Sequence, residues 1–348
     1  MKSRNGLRWI ATFLAALPLA IATVASAQKT ELLVYTALET DQIKAYESAF
    51  ATANPNIAIK WVRDSTGVVT SKLLAEKANP QADIVFGVSA SSLAVFDNEG
   101  MLLPYAPKGL DRVSAKYRDS KNPPAWVGMD VYGAAICFNT VEAQKLGLPK
   151  PETWNDLLKP VYKGQVVMPN PASSGTGFFD VTAWLTLWGD KDGKGDGWKY
   201  MDALHQNIAQ YTHSGSKPSR QAGAGEFPIG ITFEYRAVTT KKSGAPIDII
   251  FPTEGLGWDL ESSGIMKNTK KLDAAKALMD WMITREAMEL YAKNFAVLAV
   301  PGIAKSLDFV PADYEARLVK NDFSWSAKNR DRILAEWLKR YDAKSEAK

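Results

Sequence analysis

The sequence has very few residues of the types that build disulfides, metal centres and nucleophilic triads. Among 348 residues there is one cysteine, Cys137, and there are two histidines, His205 and His213. One cysteine cannot form an internal disulfide, and these three side chains cannot supply the usual set of zinc ligands. Cys137 lies in an apolar, strand-like run, which predicts a buried and unreactive thiol. We therefore expect no metal and no cofactor.

Motifs that carry catalysis or nucleotide binding are also missing. The sequence contains no GxSxG elbow, no Walker loop and no dinucleotide fingerprint. Residues 214–217 read SGSK and fit the S-x-x-K pattern, but so short a pattern occurs often by chance. Asp190 and Asp192 have calcium-loop spacing, but Lys194 and Met201 occupy positions where ligands belong. We expect a protein that performs no reaction; a secreted serine-dependent hydrolase is the alternative from a different class.

The first 27 residues have the three parts of a secretory signal peptide. A basic start, MKSRNGLR, precedes an apolar run, and the small residues ASA end it at Ala27. No later apolar run approaches the length of a membrane span. Removing the peptide lowers the formal net charge from +4 to +1, and the remaining charges are mixed along the chain. We therefore expect a soluble protein outside the cytoplasmic membrane that binds neither nucleic acid nor a membrane surface.

Strand and helix patterns alternate along the first hundred residues. The runs ELLVYTAL, NIAIKWVRDS and ADIVFGVS are typical of strands, and each is followed by a helical run. This alternation indicates βαβ units and a parallel sheet. Further along, LDAAKALMDWMITREAMELYAKN has apolar residues at helical spacing. The length of the chain suits two domains.

Small hydroxyl and glycine residues stand at four of the strand-to-helix joints. Ligands of open α/β sheets bind at the carboxyl ends of the strands, where helix N-termini attract anions. These joints together predict an anion-binding cleft, although each residue alone is also an ordinary helix cap. The candidates for the anion are Thr36, Ser65, Thr66, Ser89, Ser173, Ser174, Gly175 and Thr176.

Acidic and aromatic residues at the same joints predict a site for a positively charged group. A carboxylate would pair with an ammonium ion, and a tyrosine ring would add cation–π attraction. The candidates are Tyr35, Glu39, Glu234 and Tyr235. A surface salt bridge with Arg236 or Arg220 is the alternative role of Glu234. Weaker candidates for the same cleft are Trp258, Asp259 and Glu261.

Several longer stretches together resemble the periplasmic solute-binding proteins of ABC importers, in the branch that includes ferric-ion, thiamine and phosphonate binders. They are VYTALETD, ADIVFGVS, GLPKPETWNDLLKPVYKGQVVMPNPASSGTG, GEFPIGITFEY and LDAAKALMDWMITREAMELYAKN. The resemblance implies the two-lobed α/β fold of type II binding proteins. In that fold each lobe is a mixed, mostly parallel sheet flanked by helices, and the ligand lies in the cleft between the lobes.

The resemblance also implies how the chain divides and what it meets. We expect the signal peptide at 1–27, the first segment of lobe 1 at 28–133 and lobe 2 at 134–256. Residues 257–348 are expected to return to lobe 1 and add C-terminal helices. The implied setting is a periplasmic monomer that delivers a small molecule to an ABC permease in the inner membrane.

Within this branch the sequence looks most like proteins assigned to 2-aminoethylphosphonate uptake. Ferric-ion binders of the branch carry a pair of tyrosines where this chain has Glu234 and Tyr235, and often a histidine where it has Glu39. We therefore expect 2-aminoethylphosphonate, with its phosphonate on the hydroxyl residues and its ammonium on Glu234 with Glu39. The alternatives are phosphate, a polyamine and the ferric ion.

Overall fold

The computed structural model describes residues 29–347, so the predicted signal peptide lies outside the described residues. The strands are β1 (Thr30–Thr36), β2 (Ile57–Arg63), β3 (Ile84–Ser89), β4 (Leu102–Leu103), β5 (Val127–Asn139), β6 (Val166–Pro169), β7 (Ile208–Thr212), β8 (Ile229–Phe233), β9 (Ile247–Ile250) and β10 (Trp258–Met266). The helices are α1 (Thr40–Ala53), α2 (Thr66–Ala75), α3 (Ala90–Asn98), α4 (Thr140–Leu146), α5 (Gly175–Trp188), α6 (Asp196–Asn207), α7 (Lys217–Ala224), α8 (Glu234–Lys242), α9 (Leu272–Met282), α10 (Arg285–Tyr291), α11 (Tyr314–Arg317) and α12 (Phe323–Tyr341).

The strands join edge to edge in the order β2-β1-β3-β10-β5-β8-β6-β7. β1 is parallel to β2 and β3, and β6 is parallel to β7 and β8. β10 and β5 run antiparallel to their neighbours in the middle of the order. The predicted α/β fold, with a mixed, mostly parallel arrangement flanked by helices, is confirmed.

Strand β5 belongs to both halves of this arrangement. Its residues 127–133 pair with β10, whereas residues 134–139 pair with β8 and β9. We call β1–β4, β10 and residues 127–133 the first half, and β6–β9 and residues 134–139 the second half. All thirteen residues of β5 are buried, including the polar Asp130 and Asn139, as is typical of a central strand covered on both faces.

The core of each half is apolar and rich in aromatic side chains. In the first half, all six residues of β3 are buried beneath the helices that flank the sheet. In the second half, the Trp154 ring contacts the Trp184 ring edge-on, with ring centroids 5.3 Å apart. Helix α12 packs against α3, and the 342–347 segment that follows it lies against the edge strand β7. Over residues 29–347, no helix is both long and apolar enough to cross a membrane.

Cys137 is buried within β5, so the prediction of a buried thiol is confirmed. Its Sγ lies 3.4 Å from the Ser219 hydroxyl oxygen. Burial raises the pKa of Cys137 to about 12, against the opposing effect of that hydrogen bond. The thiol is therefore protonated at neutral pH and unreactive.

Candidate functional site

A cleft lies where the two halves meet, with about 480 Å³ of empty space including its open mouth. The joints after β1, β2 and β3 line one side, and the joints after β6 and β7 line the other. Helices that begin at such joints present free backbone N–H groups. The lining residues are Ala37, Glu39, Arg63, Ser65, Thr66, Gly87, Ser89, Tyr132, Ser174, Gly175, Thr176, Ser214, Gly215, Phe233 and Glu261.

The loop between β6 and α5, residues 170–174, is held in shape by Asn170. The Asn170 side-chain oxygen accepts the Ala172 amide at 2.8 Å, and its backbone oxygen accepts the Ser173 and Ser174 amides at 3.3 and 2.9 Å. Ser174 then caps α5, because its hydroxyl accepts the Gly177 amide at 3.4 Å. The loop thus delivers the N-terminus of a 14-residue helix to the cleft.

Three hydroxyl groups of the first half converge on Gly175. A Cβ atom added to Gly175 would lie 2.7 Å from Ser89 Oγ, 2.8 Å from Thr66 Oγ1 and 2.9 Å from Tyr132 Oη. Glycine is required here because any side chain would enter the space between these hydroxyls and the helix end. Burial raises the pKa of Tyr132 well above its ordinary value, so its hydroxyl keeps its proton and can donate it.

The two halves touch directly beside this point. The Gly67 amide, in the first turn of α2, donates to the Ser173 carbonyl at 2.9 Å. A Cβ on Gly67 would lie 2.2 Å from the Ala172 carbonyl oxygen, so only glycine permits this approach. The N-termini of α2 and α5 therefore face one small region of the cleft.

The cleft also contains a cation that the sequence analysis did not identify. Arg63, the last residue of β2, donates through Nε to the Leu38 carbonyl at 3.0 Å. Its Nη2 lies 3.4 Å from Glu39 Oε2, and Arg236 Nη2 lies 3.1 Å from the same oxygen. The Glu39 carboxylate is therefore paired with two guanidinium groups, one from each half.

A buried acidic side chain forms another part of the lining. Glu261 lies in β10 opposite Asp130 of β5, and its carboxyl oxygens accept the Gln42 amide at 3.0 and 3.1 Å. Burial and the nearby Glu234 carboxyl raise the pKa of Glu261, against the hydrogen bond from Gln42. Glu261 therefore tends to be protonated at neutral pH, when its carboxyl can donate as well as accept hydrogen bonds.

Six of the eight residues predicted for the anion line the cleft, and two do not. Thr36 uses its hydroxyl oxygen to accept the Leu38 amide at 3.1 Å. Ser173 donates its hydroxyl to the His213 carbonyl at 2.8 Å. Both residues stabilise the conformation of loops that contain lining residues. The six in the lining are Ser65, Thr66, Ser89, Ser174, Gly175 and Thr176.

Of the residues predicted for the ammonium group, only Glu39 is in the lining. Glu234 is buried and accepts the Gly133 amide at 2.7 Å, so it does not form the alternative surface salt bridge with Arg236 or Arg220 either. Tyr35 donates its hydroxyl to Glu76, at 3.1 and 3.2 Å from the carboxylate oxygens. Tyr235 donates its hydroxyl to Asp41 at 2.5 Å.

Several lining residues carry no clear signal in the sequence. Tyr132 is in the middle of β5, where an apolar run predicts only burial. Ser214 and Gly215 belong to the SGSK stretch and line the cleft beside Thr176; a Cβ on Gly215 would lie 2.3 Å from Thr176 Oγ1. Within residues 29–347, no cluster of three or more His, Cys, Asp or Glu side chains is arranged to hold a metal ion.

Comparisons with known proteins agree with this architecture. Residues 79–326 match the family of bacterial extracellular solute-binding proteins. The chain is 32% identical over 288 residues to an uncharacterized protein of Haemophilus influenzae, covering 82% of each. It is 27% identical over 265 residues to a probable ABC transporter periplasmic-binding protein of Sinorhizobium fredii, y4fP, covering 74% of this chain and 71% of that one.

A solved structure extends the comparison to three dimensions. The periplasmic binding protein AfuA of Actinobacillus pleuropneumoniae, with fructose 6-phosphate bound, superposes with a TM-score of 0.83. The two are 27% identical, over 90% of this chain and 99% of that one. This similarity confirms the predicted two-lobed fold of type II periplasmic binding proteins.

Proposed function

The chain belongs to the bacterial extracellular solute-binding proteins, and from this premise we propose that it captures a small organic phosphate or phosphonate for an ABC permease. Its general role, the periplasmic substrate-binding component of an ABC transporter, follows from the family and from the relatives described above. The family and the fold are those of substrate-binding proteins. The nature of the ligand is the proposal.

The observation that carries the proposal is the convergence of hydroxyl groups and helix N-termini on Gly175. Ser89, Thr66 and Tyr132 approach from the first half, and the first turn of α5 approaches from the second. Neutral hydroxyl and amide donors at positive helix ends suit a tetrahedral oxyanion. Each charge-assisted hydrogen bond contributes about 1.5–3 kcal/mol, so a few account for the ~8–12 kcal/mol of micromolar to nanomolar binding.

The charges around the cleft indicate which groups the ligand carries besides its phosphate or phosphonate. Glu39 is already paired with Arg63 and Arg236, and burial favours the neutral form of Glu261. Neither carboxyl therefore offers an uncompensated negative charge, which favours a ligand whose remaining groups are hydroxyls. A sugar phosphate has this chemistry, and AfuA, 27% identical to this chain, was solved with fructose 6-phosphate bound.

2-Aminoethylphosphonate is the second candidate, because one of the carboxylates expected to receive its ammonium, Glu39, does line the cleft. Glu234, the other, is buried outside the lining and accepts the Gly133 amide. The ammonium would then compete with Arg63 for Glu39. On this interpretation, replacing Glu39 with glutamine weakens 2-aminoethylphosphonate binding more than ethylphosphonate binding.

Isothermal titration calorimetry of the purified protein, refolded to remove carried-over ligand, tests the proposal. The panel is fructose 6-phosphate, 2-aminoethylphosphonate, ethylphosphonate, inorganic phosphate, putrescine and ferric citrate. Binding of either of the first two at micromolar affinity or better supports the proposal and chooses between the candidates. Binding of putrescine or iron alone contradicts it.

A matched pair of variants then tests the location of the site. Ser174→Ala and Thr284→Ala each remove a helix cap, because both hydroxyls accept an amide of the first turn. Both should lower stability by about 1 kcal/mol. Only Ser174 lines the cleft, so only Ser174→Ala should also weaken ligand binding, by at least about tenfold. Equal affinity in the two variants would place the anion elsewhere.

A further inference from the structure

The 342–347 segment, which we call the C-terminal segment, covers the exposed edge of the second half. Strand β7 is the last in the strand order, so its outer edge has no neighbouring strand among the described residues. Ser345 forms a parallel bridge with Tyr211 of β7, and the Glu346 amide donates to the Tyr211 carbonyl at 2.9 Å. Strand β7 leads directly into the cleft, because Ser214 and Gly215 follow it and line the cleft.

Glu346 holds the loop after β7, residues 213–216. Its carboxylate accepts the His213 amide and forms an ion pair with the Lys217 ammonium group. The Glu346 side chain is 14% exposed and that of Lys217 is 39% exposed, so the carboxylate is better shielded from water than its partner. The two contacts bracket the residues of this loop that line the cleft.

Ser345 holds the other cleft loop of the second half. Its hydroxyl oxygen accepts the Asn170 side-chain amide at 2.9 Å. Asn170 is the residue whose oxygens shape the 170–174 loop. Ser173 connects the two loops, because its hydroxyl donates to the His213 carbonyl. Two adjacent residues, Ser345 and Glu346, thus contact both loops that the second half contributes to the cleft.

The two loops are packed so closely that a shift in one would move the other. A Cβ on Gly215 would lie 2.3 Å from Thr176 Oγ1 and 3.1 Å from Ser174 Oγ. Displacing the loop that carries Gly215 would therefore displace the hydroxyls proposed to bind the anion. No residue of the C-terminal segment lines the cleft itself.

We propose that Ser345 and Glu346 are positioning residues that hold the two cleft loops of the second half in their ligand-binding geometry. Their effect on affinity rests on the proposed function, whereas their effect on the loops does not. Without them, the ligand dissociates faster although the fold persists, because the apolar core contacts of α12 stay in place.

Hydrogen–deuterium exchange of the ligand-free protein tests the effect on the loops. The variants are a truncation after Ala343, Glu346→Ala and Glu346→Gln. Glu226→Ala is the control, since Glu226 is an exposed glutamate of the same half. We expect faster exchange at residues 173–176 and 213–217 in the truncation and in Glu346→Ala, and unchanged exchange in the control. Glu346→Gln keeps an acceptor for the His213 amide, so its exchange rates should lie between those of Glu346→Ala and those of the control.

Ligand dissociation is measured in the same variants with fructose 6-phosphate or 2-aminoethylphosphonate, whichever the unmodified protein binds. We expect the dissociation rate to rise about tenfold in Glu346→Ala while the melting temperature changes little. Unchanged exchange of the two loops in a folded variant overturns the positioning role, whether or not the unmodified protein binds either compound. If the unmodified protein binds neither compound, that result counts against the proposed function alone. If the truncation fails to fold, the two point variants decide.

Discussion

The hydrogen bond between Tyr235 and Asp41 crosses from one half to the other, and its removal should weaken ligand binding. Tyr235 lies in the first turn of α8, in the second half, and Asp41 lies in the first turn of α1, in the first half. The distance from the tyrosine oxygen to Asp41 Oδ2 is 2.5 Å. Burial would raise the pKa of Asp41, but the Tyr235 hydroxyl and the Arg236 guanidinium outweigh it and hold this pKa below its usual value. Replacing Tyr235 with phenylalanine removes this one contact and keeps the ring.

The magnitude follows from the chemistry and the exposure of the contact. A hydrogen bond to a charged group contributes about 1.5–3 kcal/mol when shielded from water. The Asp41 side chain is 49% exposed, so solvent screening reduces this to about 1 kcal/mol. We expect ligand release to separate the two halves and to break this bond, so the free energy of the bond should add to ligand affinity. We expect the dissociation constant of Tyr235→Phe to rise about fivefold, mainly through faster dissociation.

Tyr35 supplies the matched control. Its hydroxyl also donates to a carboxylate, that of Glu76, but both residues belong to the first half. Tyr35→Phe should therefore lower stability without changing the dissociation constant. Stopped-flow measurement of ligand release, with the compound chosen by calorimetry, compares the two variants.

Two results would refute this reasoning. An unchanged dissociation rate in Tyr235→Phe would mean that the bond persists when the ligand leaves. Equal effects of Tyr235→Phe and Tyr35→Phe would mean that both tyrosines act through the stability of the fold and not through closure.

Two more predictions concern the cleft and the buried carboxyls. Gly175→Ala places a methyl group 2.7–2.9 Å from three hydroxyl oxygens of the other half; binding measured by calorimetry should weaken at least about 100-fold while thermal stability is retained. Burial raises the pKa of Glu234 to about 8, so between about pH 5 and 8 this carboxyl is ionised only in the unfolded chain. The unfolding free energy, measured with urea, should therefore fall as pH rises through this window, by up to about 1.4 kcal/mol per pH unit from this group. Glu234→Gln should reduce that slope, and a slope unchanged from the unmodified protein would contradict the buried, protonated state.

Local signals in the sequence were sufficient to predict which residues stand at the strand-to-helix joints beside the cleft. Ser65, Ser89 and Ser174 are small polar residues at helix starts, and the parallel strands of the first half bring Ser65 and Ser89 to one edge. The convergence of these two is thus a consequence of local pattern and strand direction. Ser174 follows β6, which runs opposite to β3, and it meets them only because the second half faces the first across the cleft. The periodic apolar runs likewise determine the α/β class, because strand and helix periods differ.

The orientations of the acidic and aromatic side chains could not be predicted in the same way. Glu234 follows an apolar strand, which suggests a place at the cleft, but its carboxyl oxygen instead accepts an amide 101 residues away in β5. Tyr132 lines the cleft from the middle of that strand, although its neighbours predict only burial. Arg63 reaches the cleft through its contact with the Leu38 carbonyl, a partner 25 residues distant. Each depends on contacts between elements that sequence spacing does not define.

The burial of Cys137 has a practical consequence for measuring ligand capture. The chain has no other cysteine, and this one is protonated and shielded inside β5. A cysteine introduced at the exposed position Thr40, next to Glu39 at the cleft, would be the one thiol available to maleimide dyes. We expect a fluorophore attached there to report ligand capture as a change in emission, which would make the protein a biosensor. The native sequence thus permits site-specific labelling without prior removal of a competing thiol.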